Sequence, residues 1–393
     1  MKYVNGRDVL PEKLFEEIQN YTQGLYLYIP KKSGSKKNWG DSTYIKKELA
    51  LRNREIYGKF LEGISFGRIA EKFHLSEKSI RRIILEEKRK MEEKREVIQD
   101  VLKEWNLDEV PVAMHHTTWG IGEQYVLKEY TERSTLKRNL TFLRVLKEQN
   151  LPVPEVVQTR KGSWYVETAE AMYLLTGRLR GRSLVNSEML EKPFFVEFGR
   201  ILGKLHRAFE ICDHAMSFWQ NSLLEEMSGW IQEGVEKFNP SYVNKEEFQK
   251  VLTRLEELYS KLPKQLIHRD VHLGNFLFYE GEFSGYIDFD LSQSNIRIFD
   301  LCYFMLGLLI KEDSHFLEEK KWFEILPQVI NGYNEVNPLL KDERDAVVVV
   351  MKSIEYLFIV YFLSVEDEKR AQDAGNVLHF LERNTDRIEE LVR

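Results

Sequence analysis

The chain has 393 residues, of which 43% are hydrophobic and 12% aromatic, enough to fill two or three cores and too many for one average domain. Its net charge of −6 conceals an asymmetry, because residues 1–95 carry 22 Lys and Arg against 14 Asp and Glu, while the remainder carries 35 against 49; a basic first quarter and an acidic body suit different partners. No run of about 18 uncharged apolar residues occurs, the opening MKYVNGRDVLPEKL has no signal-peptide stretch, and the only cysteines, Cys212 and Cys302, sit in apolar settings, so the expectation is a cytoplasmic protein with reduced thiols, no membrane span and no disulfide framework.

In chain order, Pro11–Tyr21 has helical apolar spacing, and Leu25–Ile29 is a short β-like run that meets a proline and a basic Gly/Ser loop. Ser65 and Ser76 each stand just before an apolar-periodic run, where an N-cap belongs. The first run sets Phe66, Ile69, Ala70 and Phe73 on one face, and the second sets Ile80, Ile83 and Ile84 on another. His74–Leu75 leaves only a tight turn between them. Such a pair is a helix-turn-helix or an ordinary helical hairpin. In the first reading Lys78, Ser79, Arg81 and Arg82 form an exposed face suited to phosphates and base edges in a major groove. The stretch LPEKLFEEIQNYTQGLYLYIPK and the helices after it resemble the Mor-type transcription-activator family over most of residues 8–86. That resemblance implies DNA as a partner of residues 1–92, and a homodimer formed through the segment before the helix pair. Residues 77–105 read as one long, highly charged helix, and the domain boundary falls near residue 92, with 93–107 a solvated helical connector.

Beyond it the pattern changes. VPVAMHHTTWGIGEQYVLKEY reads as strands around a Gly-containing turn, followed by a helix near Thr135–Gln149 and a hairpin in RKGSWYVETAEAMYLLTGRLRG. An almost wholly helical stretch comes next. Strands first and helices later indicate an α+β domain over 108–393.

The segment LIHRDVHLGNFLF, residues 266–278, interrupts the helical half with polarity that a core would not tolerate unpaired. Asp270 and Asn275 stand five apart in a loop, and Asp288 ends a second short strand. Phosphoryl transfer needs a carboxylate that orients the acceptor and oxygen ligands for a Mg²⁺ that bridges nucleotide phosphates. Asp270 suits the first task, Asn275 and Asp288 the second. His268 is expected to brace the loop through backbone hydrogen bonds.

The pattern H-x-D-x-x-x-x-N followed by I-D-F-D resembles the aminoglycoside phosphotransferase/choline kinase-like family, from about residue 108 to the C-terminus. The resemblance implies a bilobal protein-kinase-like fold, here preceded by an all-α helix-turn-helix domain, with ATP and Mg²⁺ as cofactors. It gives Lys128 of YVLKEY the nucleotide-phosphate contact, and makes YLLTGRLRG, with Thr176 and Leu179, the hinge whose backbone reads adenine. His206 of FGRILGKLHRAF and Asp300 of RIFDLCYF become structural residues near the site. Arg269 stands where the family often has Gly, and His272 recurs in its spore-coat-associated and homoserine-kinase-like branches. One departure matters. The family pairs its strand lysine with a helix glutamate, yet that position falls near Arg138–Asn139, where no carboxylate stands; Glu132 and Glu148 are off the expected place.

Two functions follow. One is an ATP/Mg²⁺-dependent kinase of a small hydroxylated, amino-alcohol or amino-sugar acceptor, fused to a DNA-binding module. The other is a transcriptional regulator whose kinase-like part senses a nucleotide or metabolite without chemistry.

Overall fold

The computed structural model describes Ile18 and residues 41–393, apart from positions 62, 74, 116, 185–193, 216–219 and 311–317. The β-like run at Leu25–Ile29 and all of the Pro11–Tyr21 helix except Ile18 lie outside the described residues. The chain divides into two compact units, Met1–Lys94 and Arg95–Arg393.

In the first unit, α1 (Asp41–Leu61), α2 (Phe66–Phe73) and the start of α3 (Glu77–Leu102) enclose a small core. Ile56 from α1, Ile69 from α2, and Ile80, Ile83 and Ile84 from α3 are buried together, with Phe60, Phe66, Phe73 and Leu75 packed around them. Ser76 caps α3, its Oγ accepting the Ser79 amide at 3.1 Å, and the Leu75 amide closes the turn on the Ala70 carbonyl at 3.0 Å. The four expected DNA-facing residues separate into two kinds. Ser79 is half-buried with its hydroxyl 2.9 Å from that of Ser76, so it serves the helix start. Lys78, Arg81 and Arg82 are exposed; Arg81 lies over the Phe66 ring at 4.1 Å and pairs with Glu77 at 3.6 Å, and Arg82 pairs loosely with Glu86 at 3.9 Å.

The second unit begins with the end of α3 and a single 3₁₀ turn at Lys103–Trp105, and continues with β1 (Pro111–His115), β2 (Thr118–Ile121), β3 (Tyr125–Tyr130), α4 (Arg133–Glu148), β4 (Val166–Glu167) and β5 (Met172–Gly177). The strands form one antiparallel sheet in the order β1-β2-β3-β5-β4. The expected Gly-containing turn joins β2 to β3, where Gly122 has φ +53°, a conformation open to Gly at little cost. Helix α4 buries Leu136, Asn139, Phe142, Leu143 and Leu146, a helical stripe with one amide in its middle.

The helical half follows: α5 (Phe194–Ala215), α6 (Leu223–Glu226), α7 (Gln232–Phe238) and α8 (Lys245–Tyr259), with a π turn at Met227–Ile231. Two short ribbons then interrupt it. β6 (Lys264–Ile267) pairs with β9 (Gln293–Ile296), and β7 (Phe276–Tyr279) pairs with β8 (Glu282–Tyr286). The two apolar runs of LIHRDVHLGNFLF therefore do not pair with each other, and the polar loop between them links separate ribbons. Helices α9 (Ile298–Gly307), α10 (Glu319–Val336), α11 (Lys341–Ser364), α12 (Glu368–Arg383) and α13 (Thr385–Val392) complete the unit.

Glycines set the crossing of α5 and α10. A Cβ at Gly332 would lie 1.8 Å from the Val196 carbonyl oxygen, and one at Gly199 would lie 2.1 Å from that of Val329. Helix α11 is long and apolar enough to cross a membrane by length and composition, but 67% of its most apolar stretch is buried in the core of this unit. Cys212 and Cys302 are buried thiols.

Candidate active site

The loop after β6 is held from behind by one carboxylate. Asp300, fully buried at the start of α9, accepts the amides of His268 (2.7 Å) and Arg269 (2.9 Å). Its Oδ2 also lies 3.0 Å from His206 Nε2. The other ring nitrogen of His206, Nδ1, lies 2.8 Å from the Tyr333 hydroxyl. These contacts fix Arg269 at φ +71°, a left-handed conformation costly for a residue with a Cβ. The Arg269 guanidinium is anchored in turn by both oxygens of Glu226 (3.2 and 3.0 Å) and by the Phe299 face at 4.2 Å.

Beyond Arg269 the loop turns its polar groups onto Asp270. Tyr303 donates its hydroxyl to Oδ1 at 3.0 Å. Asn275 donates Nδ2 to the Asp270 carbonyl (2.9 Å) and to Oδ2 (3.2 Å), and His272 Nε2 stands 3.4 Å from Oδ2. The Gly274 amide donates to His272 Nδ1 at 3.1 Å, and a Cβ there would meet that ring at 2.6 Å and displace it. Burial acts to raise the Asp270 pKa, but the bonded His272, the Tyr303 hydroxyl and His268 outweigh it and hold the carboxyl below its ordinary value. His268 is wholly buried, and burial pushes its pKa down despite the fields of Asp300, Asp270 and Asp288. Its Nε2 reaches the Ile287 carbonyl at 3.3 Å, and the Ile287 amide donates to the Asn275 carbonyl at 3.0 Å. The 268–275 loop and the I-D-F-D segment are thus stitched together.

Asp288 stands two residues past the end of β8 at φ +60°. Its Oδ1 pairs with Lys128 Nζ at 2.8 Å, across 160 residues of chain. Lys128 is placed by β3, opposite Leu174 of β5. A second carboxylate, not singled out in the sequence, meets it as well: Asp290 Oδ2 lies 2.7 Å from Nζ, while Asp290 Oδ1 accepts Asn139 Nδ2 of α4 at 2.5 Å. Burial works against the Lys128 charge, and Asp290 and Asp288 together overcome it, leaving the pKa raised.

Of the two residues expected at the hinge, Thr176 is tied into the sheet between Val126 and Val156, its Oγ1 donating to the Val126 carbonyl at 3.3 Å. Leu179 lies past the end of β5 and packs on the β7–β8 ribbon, where a Cβ on Gly285 would come within 2.4 Å of its Cδ1. The site therefore gathers Asp270, Asn275, His268, Asp300 and His206 in one network, and Lys128 and Asp288 in another joined to it through Ile287. Tyr303, Glu226 and Asp290 were not read from the sequence, and Asn139 was read only as a position without the family's carboxylate. A signal existed for the last two: Asn139 breaks an apolar stripe, and Asp290 repeats Asp288 two residues on.

Among the described residues no three His, Cys, Asp or Glu side chains close a metal cage. The donor set still fits Mg²⁺, which keeps several waters and binds through one or two protein oxygens plus substrate phosphates. Asn275 spends its amide nitrogen on Asp270 and so has its carbonyl oxygen to offer, beside the hard oxygens of Asp288.

A five-stranded sheet carrying a lysine, followed by a helical half with an H-x-D-x-x-x-x-N loop and an Asp after a short ribbon, defines a kinase-like catalytic unit. The profile of the phosphotransferase enzyme family APH matches residues 111–333, more than half of the chain, and the chain belongs to that family. It is an ATP-dependent small-molecule phosphotransferase, with ATP and a divalent cation as cofactors. Over 247 residues it is 27% identical to a homoserine kinase of Zymomonas mobilis, covering 60% of this chain and 72% of that protein. An amicoumacin kinase solved with AMP-PNP, Ca²⁺ and Ami shares the fold at TM-score 0.54 and 16% identity, over 75% of this chain and 92% of that one. An aminopropanol kinase does so at TM-score 0.52 and 17% identity, over 75% and 98%. Over 84 residues, 21% of this chain, it is 38% identical to Uncharacterized protein YraL of Bacillus subtilis, covering 97% of that protein.

Proposed function

We propose that this chain transfers the γ-phosphoryl group of ATP to the hydroxyl of a small amino alcohol or hydroxy amino acid. The observation that carries the reading is the state of Asp270: donors on both oxygens and a depressed pKa keep it ionised, as a group that accepts or orients an acceptor proton must be. Asp270 takes or orients that proton. Lys128, released from Asp288, contacts the nucleotide phosphates. Asn275 and Asp288 hold Mg²⁺, which when bound neutralises charge on the phosphates. The backbone around Thr176–Leu179 reads the adenine edge. His268, Asp300 and His206 hold the loop in place and touch no substrate. The homoserine kinase relative and the aminopropanol kinase fold favour an acceptor with an amine beside its alcohol. Buried reduced thiols suit a cytoplasmic enzyme.

Asp270→Ala tests the catalytic part. Turnover of Mg²⁺–ATP with homoserine, amino alcohols and amino sugars is expected to fall by about 10³-fold or more, with nucleotide affinity little changed. A variant as active as the parent ends this reading.

For residues 1–92 we propose DNA binding as a dimer. A capped helix with exposed Lys78, Arg81 and Arg82 supports it.

A further inference from the structure

We propose that Asp290 is the positioning residue for Lys128, held by Asn139, and that this pair does the work of the missing acidic residue on α4. The inference depends on the reading of Lys128 as the phosphate contact. A strand lysine that binds phosphate needs a permanent carboxylate partner, or its flexible stem carries the ammonium toward water. Asp288 is shared as a partner, because its carboxylate, bonded to Lys128 through Oδ1 alone, also holds Mg²⁺ in the proposed reading. The two oxygens of Asp290 are separately committed, Oδ2 to Lys128 Nζ at 2.7 Å and Oδ1 to Asn139 Nδ2 at 2.5 Å.

The geometry also explains Asn139. A buried amide in the stripe Leu136, Phe142, Leu143 and Leu146 costs stability unless bonded. Here it bonds Asp290, with the Thr135 carbonyl a weaker second partner at 3.4 Å. No acidic side chain of α4 is near enough to compete. Glu132 and Glu148 bracket the helix and, at a rise of 1.5 Å per residue, lie roughly 10 and 13 Å from Asn139 along the axis. The carboxylate has in effect moved from the helix to the I-D-F-D segment, with the helix keeping an amide that aims it.

The test moves the carboxylate back. Affinity for AMP-PNP is measured by titration calorimetry on the full chain, with Mg²⁺ and again in EDTA, for the parent, Asp290→Asn, Asn139→Glu and the double variant. Loss of one charge-assisted contact predicts about 10- to 100-fold weaker binding for Asp290→Asn in both media. In the double variant, Glu at 139 faces Lys128 again, and recovery to within about threefold of the parent is expected. Unchanged affinity in Asp290→Asn, no recovery in the double variant, or a loss confined to Mg²⁺ (which would make Asp290 a metal ligand) each overturns the proposal. A misfolded Asp290→Asn rescued by Asn139→Glu supports it, and one not rescued counts against it. If the parent itself binds no nucleotide, it is the kinase reading that fails.

Discussion

At the scale of single residues, the site is a set of carboxylates kept apart in role by what each one touches. Asp300 is saturated by backbone amides and His206 and only shapes the loop. Asp270 accepts from Tyr303, Asn275 and His272 and is kept ionised. Tyr303 itself is driven the other way, its hydroxyl pKa raised by burial and by Asp270, so it stays protonated and cannot supply a basic limb to the pH profile. Tyr303→Phe removes one donor from Asp270 and raises the carboxyl's pKa toward its ordinary value. If Asp270 must be ionised to act, the acid limb of kcat/KM moves to higher pH in the variant; superimposable limbs would show that Tyr303 has no hold on the base. Stability carries the same sign. A folded-state pKa below the unfolded one contributes stability above the unfolded value of about 3.9, lost as pH falls through the folded value. The variant's deficit at neutral pH therefore narrows in acid.

At the scale of elements, the order of motifs was readable because each is local: a cap before a periodic run, a lysine in a strand, an H-x-D-x-x-x-x-N loop. What spans the chain was not. The sequence shows Asp290 two residues after Asp288, but only the sheet and α4 bring it to Lys128 and to Asn139, the latter 151 residues away. The apolar runs flanking His268–Asn275 form strands that do not pair with each other: β6 finds β9 and β7 finds β8. A run of four strand-forming residues specifies a strand and leaves its partner open. Helix crossings are equally silent until glycines are seen against carbonyls. Gly332→Ala forces a Cβ to 1.8 Å from the Val196 oxygen, and the α5–α10 pair can meet it only by separating. That predicts a loss of about 3 kcal/mol or more in chemical denaturation. Gly307→Ala, in the same unit and in α9 with nothing within 4 Å of the new Cβ, is the control; it should be neutral or stabilising by up to about 1 kcal/mol.

At the scale of the whole molecule, a basic unit and an acidic one share a chain, and the family match at 111–333 speaks only for the second. The first is small, with five buried isoleucines at its centre, and puts much of its charge on exposed helix faces. Such a surface is either solvated or bound to phosphate. Salt separates the two, because each phosphate neutralised adds about 0.9 to the slope of log affinity against log salt. Lys78 and Arg82 are the outward cations at the start of α3, since Arg81 is partly spent on Phe66 and Glu77. Reversing both, Lys78→Glu with Arg82→Glu, should weaken DNA binding across sequences and lower the salt slope by about 2. Both residues belong to the first unit, so phosphotransfer by the second should keep its rate. Unchanged retention on DNA at every salt concentration would reduce the helix pair to a platform for dimerisation, and leave the kinase reading untouched.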